Sequence, residues 1–212
     1  MNLINFILHF FQAGGFFMYP IAVVLALGLA IAIERWVFLS RTARDNRTLW
    51  SELLPLMDQG DFAAAEERAL ASDTAIGRVL SNGIEHSRGK GTRADVEMAL
   101  EESLMVVMPM FEKRTHYLST LANVATLLGL LGTVVGMIGG FTAIAVANPA
   151  EKVSMLSAAI SVAMNNTAFG LIAAIPMLLL HSWLSTRANE MVDALEAASV
   201  RMLNTLTARA AG

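Results

Sequence analysis

The chain has no cysteine, and charge is scarce: of 212 residues only 15 are Lys or Arg and 18 are Asp or Glu. Without a thiol there is no disulfide framework, no thiol nucleophile and no thiolate metal site. A formal net charge of −3 gives no reason to expect a nucleic-acid partner. What charge there is avoids three stretches altogether. Residues 1–33, 115–150 and 153–186 contain no Asp, Glu, Lys or Arg, and only Glu151-Lys152 separates the last two. A helix needs roughly 20 apolar residues to cross a hydrocarbon layer about 30 Å thick, and each run exceeds that. With 55% hydrophobic residues and a mean hydropathy of +0.55, the composition is that of a small integral membrane protein.

In the first run the best spanning part is 16–33, extended by Trp36-Val37-Phe38-Leu39 beyond Glu34-Arg35. No Lys or Arg precedes it and no A-x-A-like site follows, so it reads as a retained helix, not a cleaved signal. Three crossings put the termini on opposite sides. Arg35, Arg41, Arg44 and Arg47 follow the first span, Lys113 and Arg114 precede the second, and Arg187 follows the third. The other side keeps only Lys152, so the basic side is read as cytoplasmic.

The expected architecture is an all-α integral membrane protein with three transmembrane helices and long cytoplasmic helical extensions. Its segments are an outer-face interfacial helix (1–15), transmembrane helix 1 (16–39) and a cytoplasmic helical segment (40–114). Transmembrane helix 2 (115–147), an outer turn (148–153), transmembrane helix 3 (154–186) and a cytoplasmic tail (187–212) follow. Gly14-Gly15 would hinge the first of these; a plain extension of the first span is the other reading.

Punctuation in the cytoplasmic segment is local. Gly60-Asp61 reads as a helix-ending glycine followed by an N-cap, and Asp73 or Thr74 as the next cap, with that helix ending near Gly89-Lys90-Gly91. Thr92-Arg93-Ala94-Asp95 matches a capping box. From there to about residue 147 only Pro109 interrupts helical patterning, so one helix kinked at Pro109 is expected. Val96, Leu100, Leu104, Val107 and Phe111 form one apolar stripe, and Met191, Leu195, Ala198, Met202 and Leu206 another. The two are suited to pack together in a helical bundle. Asn148-Pro149-Ala150-Glu151 supplies a cap, a first-turn proline and an acid to start the last helix.

Two patterns carry functional interest. Gly132, Gly136 and Gly140 stand four apart and form a smooth ridge for close helix packing in lipid. Ser154, Ser157, Ser161 and Asn165 recur at three- and four-residue steps in the third span, with Asn166 and Thr167 adjoining. Facing lipid they would lack hydrogen-bonding partners. They face either another helix or a wet conduit. Neither span holds a carboxylate, the usual proton relay, and His181 near the cytoplasmic end is the one ionisable candidate. Paired carboxylates, metal-ligand clusters and a nucleophile with its base are all missing, so neither an enzyme nor a cofactor or metal site is expected. A stand-alone transporter is disfavoured too, because three spans show no inverted repeat.

Leu-Leu-Gly-Leu-Leu-Gly-Thr-Val-Val-Gly at 127–136 and Ile-Ser-Val-Ala-Met-Asn-Asn-Thr-Ala-Phe-Gly-Leu-Ile-Ala-Ala-Ile-Pro at 160–176 closely resemble the MotA/TolQ/ExbB proton-channel family, its ExbB/TolQ branch above all. Glu34-Arg35 and Gly60-Asp61-Phe62 extend the resemblance. It implies a homopentamer around a central pore in the bacterial inner membrane, with the N-terminus periplasmic and the C-terminus cytoplasmic. Inside the pore would sit an ExbD/TolR-like single-pass partner bearing a membrane Asp. Proton flow would then work a periplasmic TonB-like protein serving outer-membrane import of siderophores or vitamins. By position, Thr133 and Thr167 match pore threonines facing that Asp, and Pro176 matches the kinking proline. Family members often carry a glutamate where this chain has Val162, which leaves Ser161, Asn165 and Asn166 as the polar pore-lining candidates. Amide and hydroxyl oxygens also ligate Na⁺, so a Na⁺-driven stator is an alternative, as is a non-conducting membrane scaffold. Membrane lipid is the remaining expected contact.

Overall fold

A computed structural model describes residues 14–88 and 92–210. All but the last two residues of the expected outer-face helix lie outside the described residues. The described helices are α1 (Met18–Gln59), α2 (Phe62–Leu70), α3 (Ala75–Arg88), α4 (Arg93–Glu112), α5 (His116–Val146) and α6 (Lys152–Ala210). Among the described residues there is no strand. Three stretches are long and apolar enough to cross a membrane: Met18–Gln59, Arg93–Val146 and Lys152–Leu206. The all-α, three-span architecture is therefore present.

The chain divides into two compact units. The first, an apolar unit, combines the start of α1 to Ile33 with Arg114–Trp183. Its core is built from small side chains: Ile21, Ala122, Ala125, Ala173, Ala174 and Met177 are buried together, flanked by Val24, Leu25, Leu121, Leu128 and Phe169. Alanines let helices approach closely where lipid gives no hydrophobic drive for association. Met177 fills the notch left by Gly28: a Cβ there would stand 2.3 Å from the Met177 sulfur.

The second unit is a helical bundle of Glu34–Lys113 with Leu184–Gly212. Both expected stripes form its core. Val96, Leu100, Leu104, Val107 and Phe111 are buried on α4, as are Met191, Leu195, Ala198 and Met202 on α6, with Leu206 only partly so. They meet at Gly83 of α3, where an added Cβ would lie 2.6 Å from both Leu100 Cδ2 and Met202 Cε. Asn82 Nδ2 donates to Ala99 O (3.2 Å) and Ser103 Oγ (2.6 Å), tying α3 to α4.

Local punctuation follows the expected residues. Gly60 takes φ 79°, a left-handed turn that glycine adopts without steric cost. Asp61 then accepts from Ala64 N at 3.1 Å. Of the two candidate caps for α3, Thr74 serves: its hydroxyl accepts from Gly77 N at 3.1 Å. At α4 the capping box forms, with Thr92 N donating to Asp95 Oδ2 (2.6 Å) and Asp95 N to Thr92 Oγ1 (3.4 Å). These bonds to Thr92, side chain first and backbone second, hold the Asp95 carboxyl below the usual carboxylate range. A depressed folded-state pKa adds stability above the unfolded value and loses it as pH falls through the folded one. We expect the bundle's thermal midpoint to drop below about pH 4, and Asp95→Asn to flatten part of that slope. Melts of the detergent-solubilised chain across pH check this.

Two expectations are corrected. The single helix from Arg93 to residue 147 is two helices, broken at 113–115 with Arg114 at φ 66°. The break comes four residues after Pro109, whose carbonyl accepts the Lys113 N–H at 3.0 Å. Arg35 takes over the next carbonyls: its Nη2 donates to Phe111 O (2.8 Å) and Met110 O (3.1 Å). Its guanidinium also lies 4.5 Å from the Phe38 ring centroid. Arg35, grouped above with the flanking basic residues, is thus 3% exposed and caps a helix end. Second, the last helix starts at Lys152, not at Asn148-Pro149. Asn148 instead closes a turn, its carbonyl accepting from Glu151 N at 3.0 Å, and Glu151 O accepts the first helical bond from Met155 N.

Candidate functional site

Within the apolar unit, α5 and α6 pack along a seam with almost no side chain between them. A Cβ on Gly170 would fall 2.8 Å from Ala125 O and 3.0 Å from Gly129 Cα. On Gly129 it would meet Asn166 O at 3.0 Å. Higher up, Gly136 faces Ala163 and Gly140 faces Ala159, whose Cβ would lie 2.3 Å from an added one. Gly132, Gly136 and Gly140 thus share the α5 face turned to α6, and the ridge is a packing surface within one protomer. Gly129, Gly170, Ala159 and Ala163 complete it. Gly129 lies on α5 beside the ridge and the other three on α6, and small residues like these signal nothing until the pairing is known.

Two threonines meet at this seam. Thr133 Oγ1 hydrogen-bonds Thr167 Oγ1 directly. Thr133 also donates toward Gly129 O (3.1 Å) and Ala163 O (3.2 Å), and Thr167 toward Gly129 O (3.2 Å). Two hydroxyl hydrogens are shared among more oxygens than they can serve at once. Beside the knot, Asn166 is 2% exposed, and a Cβ on Gly132 would lie 3.0 Å from its Nδ2. Asn166 Oδ1 is buried with no donor. The seam thus gathers two hydroxyls, helix carbonyls and a buried amide whose oxygen has no hydrogen-bond partner.

The polar residues of the third span do not form one stripe. Asn166 and Thr167 lie on the α6 side that meets α5. Ser154, Ser157 and Ser161 are exposed and Asn165 is half-buried. Residues 157, 161 and 165 sit half a helical turn from the α5-facing Ala159, Ala163 and Gly170. Val162 is half-buried near Gly15: a Cβ on that glycine would stand 3.6 Å from Val162 Cγ1. Pro109 and Pro176 lie inside α4 and α6, and His181 is half-buried on α6. Among the described residues no group of three or more His, Asp or Glu is placed to hold a metal ion.

Known proteins resemble this chain in sequence. An ExbB-homolog biopolymer transport protein of Methanothermobacter thermautotrophicus is 28% identical over 198 residues, 92% of this chain and 69% of its own. The Tol-Pal system protein TolQ of Haemophilus influenzae is 27% identical over 198 residues, covering 88% of this chain and 86% of that one. The biopolymer transport protein ExbB of Salmonella typhimurium is 27% identical over 172 residues, or 76% and 70% of the two chains. The profile of the MotA/TolQ/ExbB proton channel family matches residues 71–197, which takes in α4, α5, the seam and the threonine pair. A three-span helical chain matched over more than half its length in this way belongs to the MotA/TolQ/ExbB proton channel family.

Proposed function

We propose that the chain is the channel-forming stator subunit of an energy-transducing complex, closest in role to ExbB and TolQ. Several copies, five by the family's pattern, surround an ExbD/TolR-like single-pass helix carrying a membrane Asp. Protons crossing the inner membrane are exchanged through that carboxylate, and the motion they drive is passed to a periplasmic TonB-like protein. Thr133 and Thr167 are the residues of this chain that line the path. The observation that carries the reading is their knot: two hydroxyls from different helices, paired and half-exposed, in spans with no titratable acid. Hydroxyls there can relay or solvate a proton without holding it, while the carboxylate that holds it comes from the partner. Ser161 and Asn165, on the far face of α6, supply polar contact with water or a neighbouring copy. Gly132, Gly136 and Gly140 keep the seam tight, and Pro176 shapes α6.

The buried, unserved Asn166 oxygen beside the threonines supports a second reading, in which Na⁺ replaces the proton. Siderophore or vitamin uptake in cells expressing the complex tests both. Thr133→Val and Thr167→Val should each lower uptake by about tenfold or more, the equivalent of at least one lost hydrogen bond. Full activity in both removes the threonines from the path. Uptake that persists without Na⁺ but collapses with a protonophore selects protons.

A further inference from the structure

Among the described residues nothing covers the outer face of α4, although this helix lies outside the uncharged spans. Met98, Met105 and Val106 are 66%, 70% and 70% exposed. With Glu102 and Pro109 they form one seam opposite the buried face of α4, and Glu101 lies on its edge. An exposed apolar strip of this kind on a charged helix marks a binding surface. Methionine suits one, because its flexible thioether adapts to a neighbour's shape.

In the same bundle, α1 presents the opposite charge. Arg41, Arg44 and Arg47 are exposed and share the outward face with Ser40, Thr48 and Ser51. Among the described residues none of Arg41, Arg44, Arg47, Glu101 or Glu102 pairs with an opposite charge. The two faces are also matched in height. At one end of the bundle Arg35 binds Met110 and Phe111. At the other, Asp58 pairs with Arg201 and Arg93 reaches Asn204, so α1 and α4 run antiparallel between the same two levels. Arg44 and Arg47 lie near the midpoint of α1 between these ends, and Glu101, Glu102 and Met105 near the midpoint of α4. Rotation about an axis parallel to the helices preserves height. A second copy placed by such a rotation brings basic arginines level with acidic glutamates.

We infer that the Met98–Glu102–Met105 face of α4 docks on the Arg41–Arg44–Arg47 face of α1 in a second copy of this chain. The contact is heterologous, one surface meeting a different one, so it continues from copy to copy instead of stopping at a dimer, and a rotation about an axis parallel to the helices turns that series into a ring. Arginine stems cover the methionines while their guanidinium groups meet Glu101 and Glu102. The inference deepens the assembly part of the proposed function and is independent of ion flow.

Because the chain has no cysteine, paired thiols can be introduced into the full-length protein in membranes without background. Glu102→Cys combined with Arg44→Cys should give a ladder beyond dimer with a short bismaleimide, and neither single variant should cross-link. On native gels, Glu102→Arg alone and Arg44→Glu alone should each lower the assembled fraction by about tenfold, and the double reversal should restore it. The inference is overturned by the absence of a ladder from membrane-inserted protein, by dimers from one cysteine alone, or by a double reversal that stays disassembled. Charge reversals that release only the Asp-bearing partner, leaving the ring whole, overturn it as well. A ladder in a complex that conducts nothing leaves this contact standing and refutes the channel reading.

Discussion

Leucine in place of Gly170 should remove folded protein from the membrane almost entirely, whereas leucine in place of Gly139 should be tolerated. An added Cβ at 170 meets backbone, Ala125 O at 2.8 Å and Gly129 Cα at 3.0 Å. No side chain there can swing aside, so α5 and α6 must separate. Overpacking in a core costs about 1–3 kcal/mol when neighbours can give, and here they cannot. Separation also forfeits the Thr133–Thr167 bond and wets or strands Asn166. At Gly139 nothing lies within 4 Å of the added carbon. Size-exclusion yield of the detergent-extracted chain reads the difference: Gly170→Leu near zero, Gly139→Leu near the parent. Equal yields from the two would mean that the seam is looser than its glycines require.

A comparable loss is expected in the bundle when Arg35 becomes leucine. Its Nη2 serves Met110 O and Phe111 O, the carbonyls orphaned where α4 stops. Hydrogen bonds to a charged donor contribute about 1.5–3 kcal/mol each, and a buried carbonyl left without one carries a desolvation cost. A total near 3 kcal/mol lowers the midpoint by roughly 10 °C for a chain of this size. Arg35→Lys keeps the charge on a different head group and should recover part of the loss. Circular dichroism melts in detergent give the ranking: parent, then lysine, then leucine. A leucine variant as stable as the parent would show that water or another donor serves the helix end.

How much of this was legible in the residues depends on the range of the interaction responsible. Gly60, Asp61, Thr74 and the Thr92–Asp95 box act within four residues of themselves, and each caps or ends a helix as read. The apolar stripes of α4 and the tail were legible because periodicity reports burial without naming the neighbour. The break at 113–115 was not. It sits where Arg35, more than seventy positions away in sequence, donates to two carbonyls, and an arginine beside a span looks the same whether it faces headgroups or a helix end. In the third span Ser154, Ser157, Ser161 and Asn165 read as a stripe, with Asn166 and Thr167 adjoining, and which of these turn inward was not legible. Steps of three and four keep the first four on one helix face, Asn166 and Thr167 stand about 100° and 200° further round, and the close packing at Gly129 and Gly170 sets which face turns inward. Asn166 went to the seam with Thr167, while Ser157 and Ser161 stayed outside. The family was legible because its signature, Gly-Thr-Val-Val-Gly with Thr-Ala-Phe-Gly-Leu, is the seam itself.

One measurement bears on the account most directly: proton entry into liposomes holding the purified complex with its Asp-bearing partner, driven by a potassium diffusion potential. Doubly substituted Thr133→Ser/Thr167→Ser, which keeps both hydroxyls, should acidify the lumen as the parent does. Thr133→Val/Thr167→Val, of nearly equal volume, should fall to the level of empty vesicles. Undiminished flux through the valine pair would contradict the claim that these two hydroxyls border the ion's route.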